Sequence, residues 1–194
     1  MENRTERQLE IIETAGKILT EDGVQGLTTK KLANRVGFSE SAIYRHFKSK
    51  EDIIVSLLTH LSESMDERLS NLELSEDDPE SNFNNLFASQ MKFFSEHPHY
   101  VVAVFSDGLL QESDRVNEAI ESIMQTKMKH LMPIITSGKQ KQVFTSSIST
   151  QDLMSIVMGT FRLQMYKWRL SGFEYDIVLR GNNTIQSLLK LIKQ

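Results

Sequence analysis

The stretch from Leu27 to Lys50 leaves room only for short helices separated by tight turns. Thr28, Ser39 and Ser49 each precede a run able to be helical, and a side-chain oxygen there accepts a bond from an otherwise unpaired first-turn amide. Leu27 and Leu32 flank the first cap, and Phe38 and Ile43 the second, with the spacing of a hydrophobic staple. Gly37 follows the first run and can take the left-handed conformation that closes a helix. The spacing therefore predicts two short helices across residues 28–47, joined by a tight turn, with a third and longer one starting at Ser49. Leu32, Ala33, Val36, Ile43 and Phe47 supply their shared core, so the charged residues are left outside. Upstream, Leu9, Ile11, Ile12, Ala15, Ile18 and Leu19 form an amphipathic stripe that is expected to end at Asp22-Gly23. The result is a three-helix unit with a helix-turn-helix arrangement.

The remainder carries helical periodicity without a useful length of strand-like alternation. Ile54, Leu57, Leu58, Leu61, Met65 and Leu69 share one face of a connecting helix over 51–70. An acidic, polar stretch follows, and Asp78-Pro79 opens the next helix with proline at its first position. Phe83, Phe87, Met91 and Phe94 make a stripe that stops at His97-Pro98. Asp114 is expected to cap a long helix that Pro133 kinks or ends, and residues 137–151 read as a loop. Two final helices carry Leu153, Val157, Phe161 and Trp168, then Ile177, Ile185, Leu188 and Ile192. The expectation is an all-α protein of about nine helices: a helix-turn-helix domain over 1–50, and a larger helical domain over 71–194. The chain has no cysteine, a charged start and no apolar run long enough to span a bilayer, so a cytoplasmic protein without membrane association is expected.

Charge distribution narrows the partner. The chain carries a net charge of -4, yet residues 28–50 hold Lys30, Lys31, Arg35, Arg45, Lys48 and Lys50 against Glu40 alone, a local excess of +5. A basic patch on an acidic protein attracts phosphate locally without general adhesion to polyanions. Thr28, Thr29, Ser39 and Lys50 lie at or beside helix starts, where free amides and the helix dipole favour anions. Tyr44 and His46 offer a phenol and an imidazole to phosphate oxygens. Lys30, Glu40, Ser41 and Ala42 are the candidates for reading base edges, since lysine can meet guanine acceptors, glutamate a cytosine amino group and alanine a thymine methyl.

The block LTTKKLANRVGFSESAIYRHFKSKEDII resembles the DNA-binding signature of the TetR family of bacterial transcription regulators. The resemblance rests on Thr28-Thr29 with Leu32-Ala33, the Val36-Gly37 turn, Tyr44 with His46-Phe47, and Lys48 and Lys50 at the start of the fourth helix. It implies that Thr29, Lys30, Ser41, Tyr44, His46 and Lys50 contact DNA, with Glu40 and Ala42 where base readers vary. It further implies a DNA-binding domain over 1–50 and an effector-binding and dimerisation domain over 71–194, a homodimer held by the last two helices, a palindromic double-stranded operator, and most commonly a repressor released by a small-molecule effector.

The larger domain is rich in adaptable apolar groups, and a hydrophobic or amphipathic effector, whose identity the sequence leaves open, would meet Phe87, Met91, His97, Tyr100, Phe105, Met124, Met128, Phe161, Gln164 and Trp168. Asp107, His130, Arg162 and Tyr166 are further polar groups able to orient it. No cofactor or metal is expected: His97-Pro98-His99 lacks the spacing of a metal site. No nucleophile-base arrangement or phosphate-cradling glycine loop suggests an enzyme. The competing reading is a DNA-bound interaction protein whose C-terminal domain docks a protein partner without needing a ligand.

Overall fold

Local rules account for most helix ends. In the computed structural model, which describes residues 4–105 and 113–194, the described residues form nine helices: α1 Glu6–Gly26, α2 Thr29–Val36, α3 Glu40–His46, α4 Lys50–Ser70, α5 Pro79–Glu96, α6 Pro98–Phe105, α7 Asp114–Gln140, α8 Thr150–Leu170 and α9 Ile177–Ile192. Thr5 and Gln8 close a reciprocal capping box on α1. Thr28 accepts from the Lys31 amide, Ser39 from that of Ala42, Ser49 from that of Asp52, and Asp78 from that of Ser81. Gly37 closes α2 at φ 78°. Asp107 lies outside the described residues.

The amphipathic stripe of α1 breaks where expected: Gly23 adopts φ 69° and ψ -172°, outside the helical region, and one further short turn follows the kink to Gly26. Other boundaries differ from expectation. Ser113 rather than Asp114 caps α7, its hydroxyl accepting from the Val116 amide, so Asp114 is already helical. α7 also continues past Pro133 to Gln140. One proline removes a single ladder bond, and tertiary packing at the far end outweighs that loss. There the Gly138 carbonyl takes the amides of both Val143 and Phe144 at 2.8 and 3.0 Å, and the Phe144 ring, 0% exposed, lies against the Gly138 backbone. The loop expected over 137–151 accordingly starts only after Gln140.

The described residues divide into two compact units, the first within Met1–Ser64 and Pro98–Met124, the second Met65–His97 and Gln125–Gln194. In the first, Ile11, Ile12, Ala15, Leu32, Ile43 and Leu57 are buried. α6 packs on α1 so closely that a Cβ at Gly16 would sit 2.6 Å from the His99 ring. The Tyr100 hydroxyl donates to Glu13 at 3.0 Å, and burial, reinforced by that carboxylate, pushes its pKa up. In the second unit α5 lies against α9, with Met91 filling the space over Gly181. Phe87 links Phe83 and Phe161 at ring separations of 4.9 and 5.7 Å. Near the C-terminus, the Thr145 amide donates to Ile192 at 2.7 Å and the Gln194 amide to Val143 at 3.1 Å. Asp66 receives Lys129 and His130, which hold its carboxyl below the usual range.

Candidate functional site

The short helix α3 is anchored by one buried side chain. Ile43 is 1% exposed and Phe47, which closes the helix, 7%. Everything else on it turns towards solvent or the rim: Glu40, Ser41, Tyr44 and Arg45 are exposed, Ala42 and His46 half-buried. Thr28, Lys30 and Ser39 are exposed and Thr29 half-buried, so the sequence-predicted DNA set forms an accessible surface at the N-termini of α2 and α3.

Two contacts within this set were not legible beforehand. The hydroxyls of Thr29 and Tyr44 lie 3.3 Å apart, tying the first turn of α2 to the last turn of α3. His46 stacks on Phe38 with its plane tilted by 22°, while the Arg7 guanidinium lies 5.4 Å from the same Phe38 ring. Both fix aromatic orientation across the turn. Their partners are eight to fifteen residues apart in sequence, and only the crossing of α2 and α3 brings them together.

The basic excess is partly spent within the protein. Lys31 pairs with Asp22 at 2.6 Å and Arg35 with Glu21, and the hydrogen bond from Arg35 holds the Glu21 carboxyl below its ordinary range. Such exposed pairs add little stability, but they direct two cations towards α1. Lys30, Arg45 and Lys48 remain exposed. Lys50 is half-buried, and its ammonium donates to the Val24 carbonyl at 3.1 Å. It therefore braces the end of α1 as well as adding charge at the start of α4. Lys50→Ala is expected to lower the midpoint of thermal unfolding and, with any DNA, to reduce the salt dependence of binding by about one unit of logarithmic slope. An unchanged slope in a titration from low to moderate salt would remove Lys50 from the phosphate contacts.

The residues proposed for a ligand scatter more widely. Phe87, Met91, Phe161 and Trp168 are buried in the second unit, where the Trp168 indole donates to the Tyr175 carbonyl at 2.9 Å. Gln164 is half-buried, His97 closes α5 with its ring 4.8 Å from that of Phe93, and Met128 is exposed. Tyr100, Phe105 and Met124 belong to the first unit, the first two buried and Met124 exposed. Phe87 and Phe161 border a cavity of about 10 Å³ together with Leu86, Gln90, Leu131, Met158 and a residue outside the predicted set, Lys127. Its only sequence signal is a lysine on an otherwise apolar stripe.

A capped helix, a glycine turn and a short second helix showing a phenol, an imidazole and lysine-rich flanks define a helix-turn-helix DNA-binding transcription regulator. The chain belongs to the TetR family, with residues 11–57 matching the profile of bacterial regulatory proteins of the tetR family and residues 41–191 that of the YsiA-like protein C-terminal region. The family is not enzymatic. The sequence is 24% identical to the fatty acid metabolism regulator protein of Bacillus subtilis (strain 168) over 191 residues, 97% of each chain. It is likewise 24% identical to the nucleoid occlusion factor SlmA of Vibrio campbellii over 174 residues, 89% of each. The fold is similar to that of the fatty acid degradation regulator FadR from Bacillus halodurans, with a TM-score of 0.85, 19% identity and 97% of both chains covered. It is also similar to FadR from Bacillus subtilis in complex with stearoyl-CoA, at a TM-score of 0.75, 20% identity, and 93% of this chain and 97% of that one covered. Among the described residues no helix is long and apolar enough to cross a membrane.

Proposed function

We propose that this chain is a cytoplasmic homodimeric repressor that leaves a palindromic operator when a long-chain acyl effector binds its helical body. The observation that carries the reading is the outward face of α8. Ile156, Gly159, Leu163, Tyr166 and Leu170 recur there at three- and four-residue steps, and all five are exposed. An apolar stripe of that regularity on a surface helix seeks a partner helix, and Gly159, around which a Cβ would meet nothing within 4 Å, leaves room for a close crossing. With Leu179 and Leu191 exposed on α9, the last two helices of each copy suit a four-helix bundle. Two heads then address half-sites about one helical turn, ~34–36 Å, apart. Thr28, Thr29, Ser39, Tyr44, His46 and Lys50 hold phosphates, and Lys30, Glu40, Ser41 and Ala42 meet base edges.

The effector class follows the fatty acid regulators that match nearly the whole chain, one of them with stearoyl-CoA bound, and the phenylalanine- and methionine-rich second unit suits an acyl chain. Equal identity to the nucleoid occlusion factor favours a second reading, a DNA-bound protein whose body docks a protein partner. Genomic fragments selected at moderate salt and footprinted test both. A protected palindrome released by micromolar stearoyl-CoA supports the repressor. A palindrome still protected with acyl ligand present supports the second reading, and binding without sequence preference sinks both.

A further inference from the structure

Opposite the buried anchor of α3 stands an arginine outside the predicted DNA set. Ile43, 1% exposed, fixes which side of the helix faces the body. Each residue of an α-helix advances about 100° round the axis, so Glu40 and His46 lie about 60° from Ile43 on its two sides, and Tyr44 and Ala42 about 100°. Ser41 and Arg45, one turn apart, both lie about 160° from it and form the ridge of α3 that points furthest from the body. Both are exposed. On one flank of that ridge Tyr44 approaches Thr29 of α2, and on the other His46 stacks on Phe38. Lys31, Arg35 and Lys50 direct their charges onto Asp22, Glu21 and the Val24 carbonyl of α1. The charge of Arg45 is presented outward.

The seven residues of α3 make it about 10 Å long. The major groove is roughly 12 Å wide, so the whole ridge fits within it. Cα–Cβ bonds tilt towards the N-terminus of a helix, which carries the long side chain of Arg45 back along the ridge towards Ser41. Phosphates form the walls of the groove, beside the flanks of the helix, while the ridge faces the base edges. The two ridge residues differ in what they can tell apart. A serine hydroxyl donates or accepts and meets any base, whereas a guanidinium presents a fork of donors matched to the paired O6 and N7 acceptors of guanine.

We propose that Arg45 is the principal base reader of this chain, donating two parallel hydrogen bonds to O6 and N7 of one guanine in the half-site, with Ser41 beside it adding contact but little discrimination. This rests on the reading of α3 as the helix that enters the groove, and specifies the residue and the base on which sequence preference turns.

The test is selection of duplexes from a randomised pool by the full chain and by Arg45→Ala, a change at an exposed helical position to a residue that favours the helix. The parent should select a site containing a guanine that the variant no longer prefers. Exchanging that G·C pair for A·T should weaken parent binding by about 10- to 100-fold. Replacing the guanine by 7-deazaguanine, which has carbon in place of N7 and leaves the base pair and phosphates unchanged, should weaken it by about 10-fold. Arg45→Ala should bind all three duplexes within about threefold of one another, since the coupling between residue and base is gone. Titrations at low salt keep the weaker complexes measurable. A selected site without guanine overturns the proposal, as does a variant as sensitive to 7-deazaguanine as the parent. Weakening of the variant on every duplex alike, with the base preference kept and the salt slope lower by about one unit, makes Arg45 a phosphate contact and overturns it too. In each of these cases α3 still reads the groove. A parent protein that selects no sequence removes that role from α3 itself, and the proposal falls with it.

Discussion

Leu163→Glu is expected to leave each chain folded while separating the two copies. Leu163 is 49% exposed in the single chain and central in the α8 stripe, between Gly159 and Tyr166. A glutamate at an exposed helical position costs the isolated fold little, within about 0.5 kcal/mol. In a two-fold symmetric interface the same change brings in two carboxylates, one from each copy, and takes both out of water. Sedimentation should give twice 22.3 kDa for the parent chain and 22.3 kDa for the variant, with similar melting of the helical signal. Operator affinity should drop by about 10²- to 10⁴-fold, because the second head no longer binds as part of the same molecule. A variant that remains dimeric would move the interface away from α8.

Phe144→Ala should strongly destabilise the second unit. The ring is 0% exposed, stands edge-on to Phe83 at 6.0 Å and covers Gly138. Removing it leaves a cavity worth about 3–5 kcal/mol, and for a chain of this size that lowers the melting temperature by on the order of 10 °C. Gly138→Ala should destabilise from the opposite side, since a Cβ there falls inside the van der Waals envelope of the ring. The two changes should not add: in the double variant the new methyl enters the space the ring has vacated. Strict additivity in a thermal-unfolding cycle would show that Gly138 and Phe144 do not share this contact.

What was legible before the structure was local. The caps at Thr28, Ser39 and Asp78, the glycine turn at Gly37 and the proline start of α5 each involve partners three or four residues away, so the chain states both halves of the interaction side by side. The outward character of α3 was legible for the same reason, because Ile43 and Phe47 were the only residues there able to hold it down. Gly23 broke α1 where the sequence said it would, whereas the end of α7 was not legible: the helix-breaking tendency of Pro133 is a local quantity of a few kcal/mol, and α7 ran on to the Gly138–Phe144 contact further along the chain.

The methionines show where sequence stops. Met91 is 0% exposed, whereas Met124 and Met128 are 45% and 42% exposed, although all three were reasonable guesses for a ligand pocket. Periodicity states that a helix has an apolar face, and the identity of the residue states that it tolerates burial. Which helix arrives to cover that face depends on elements up to a hundred residues away. The helix-turn-helix and its accessible polar surface were therefore determined by the sequence itself. Lys50 reaching the end of α1 and Lys127 enclosed between two phenylalanine rings were decided only by tertiary structure, because the groups that give those lysines their surroundings meet them only once the helices have packed.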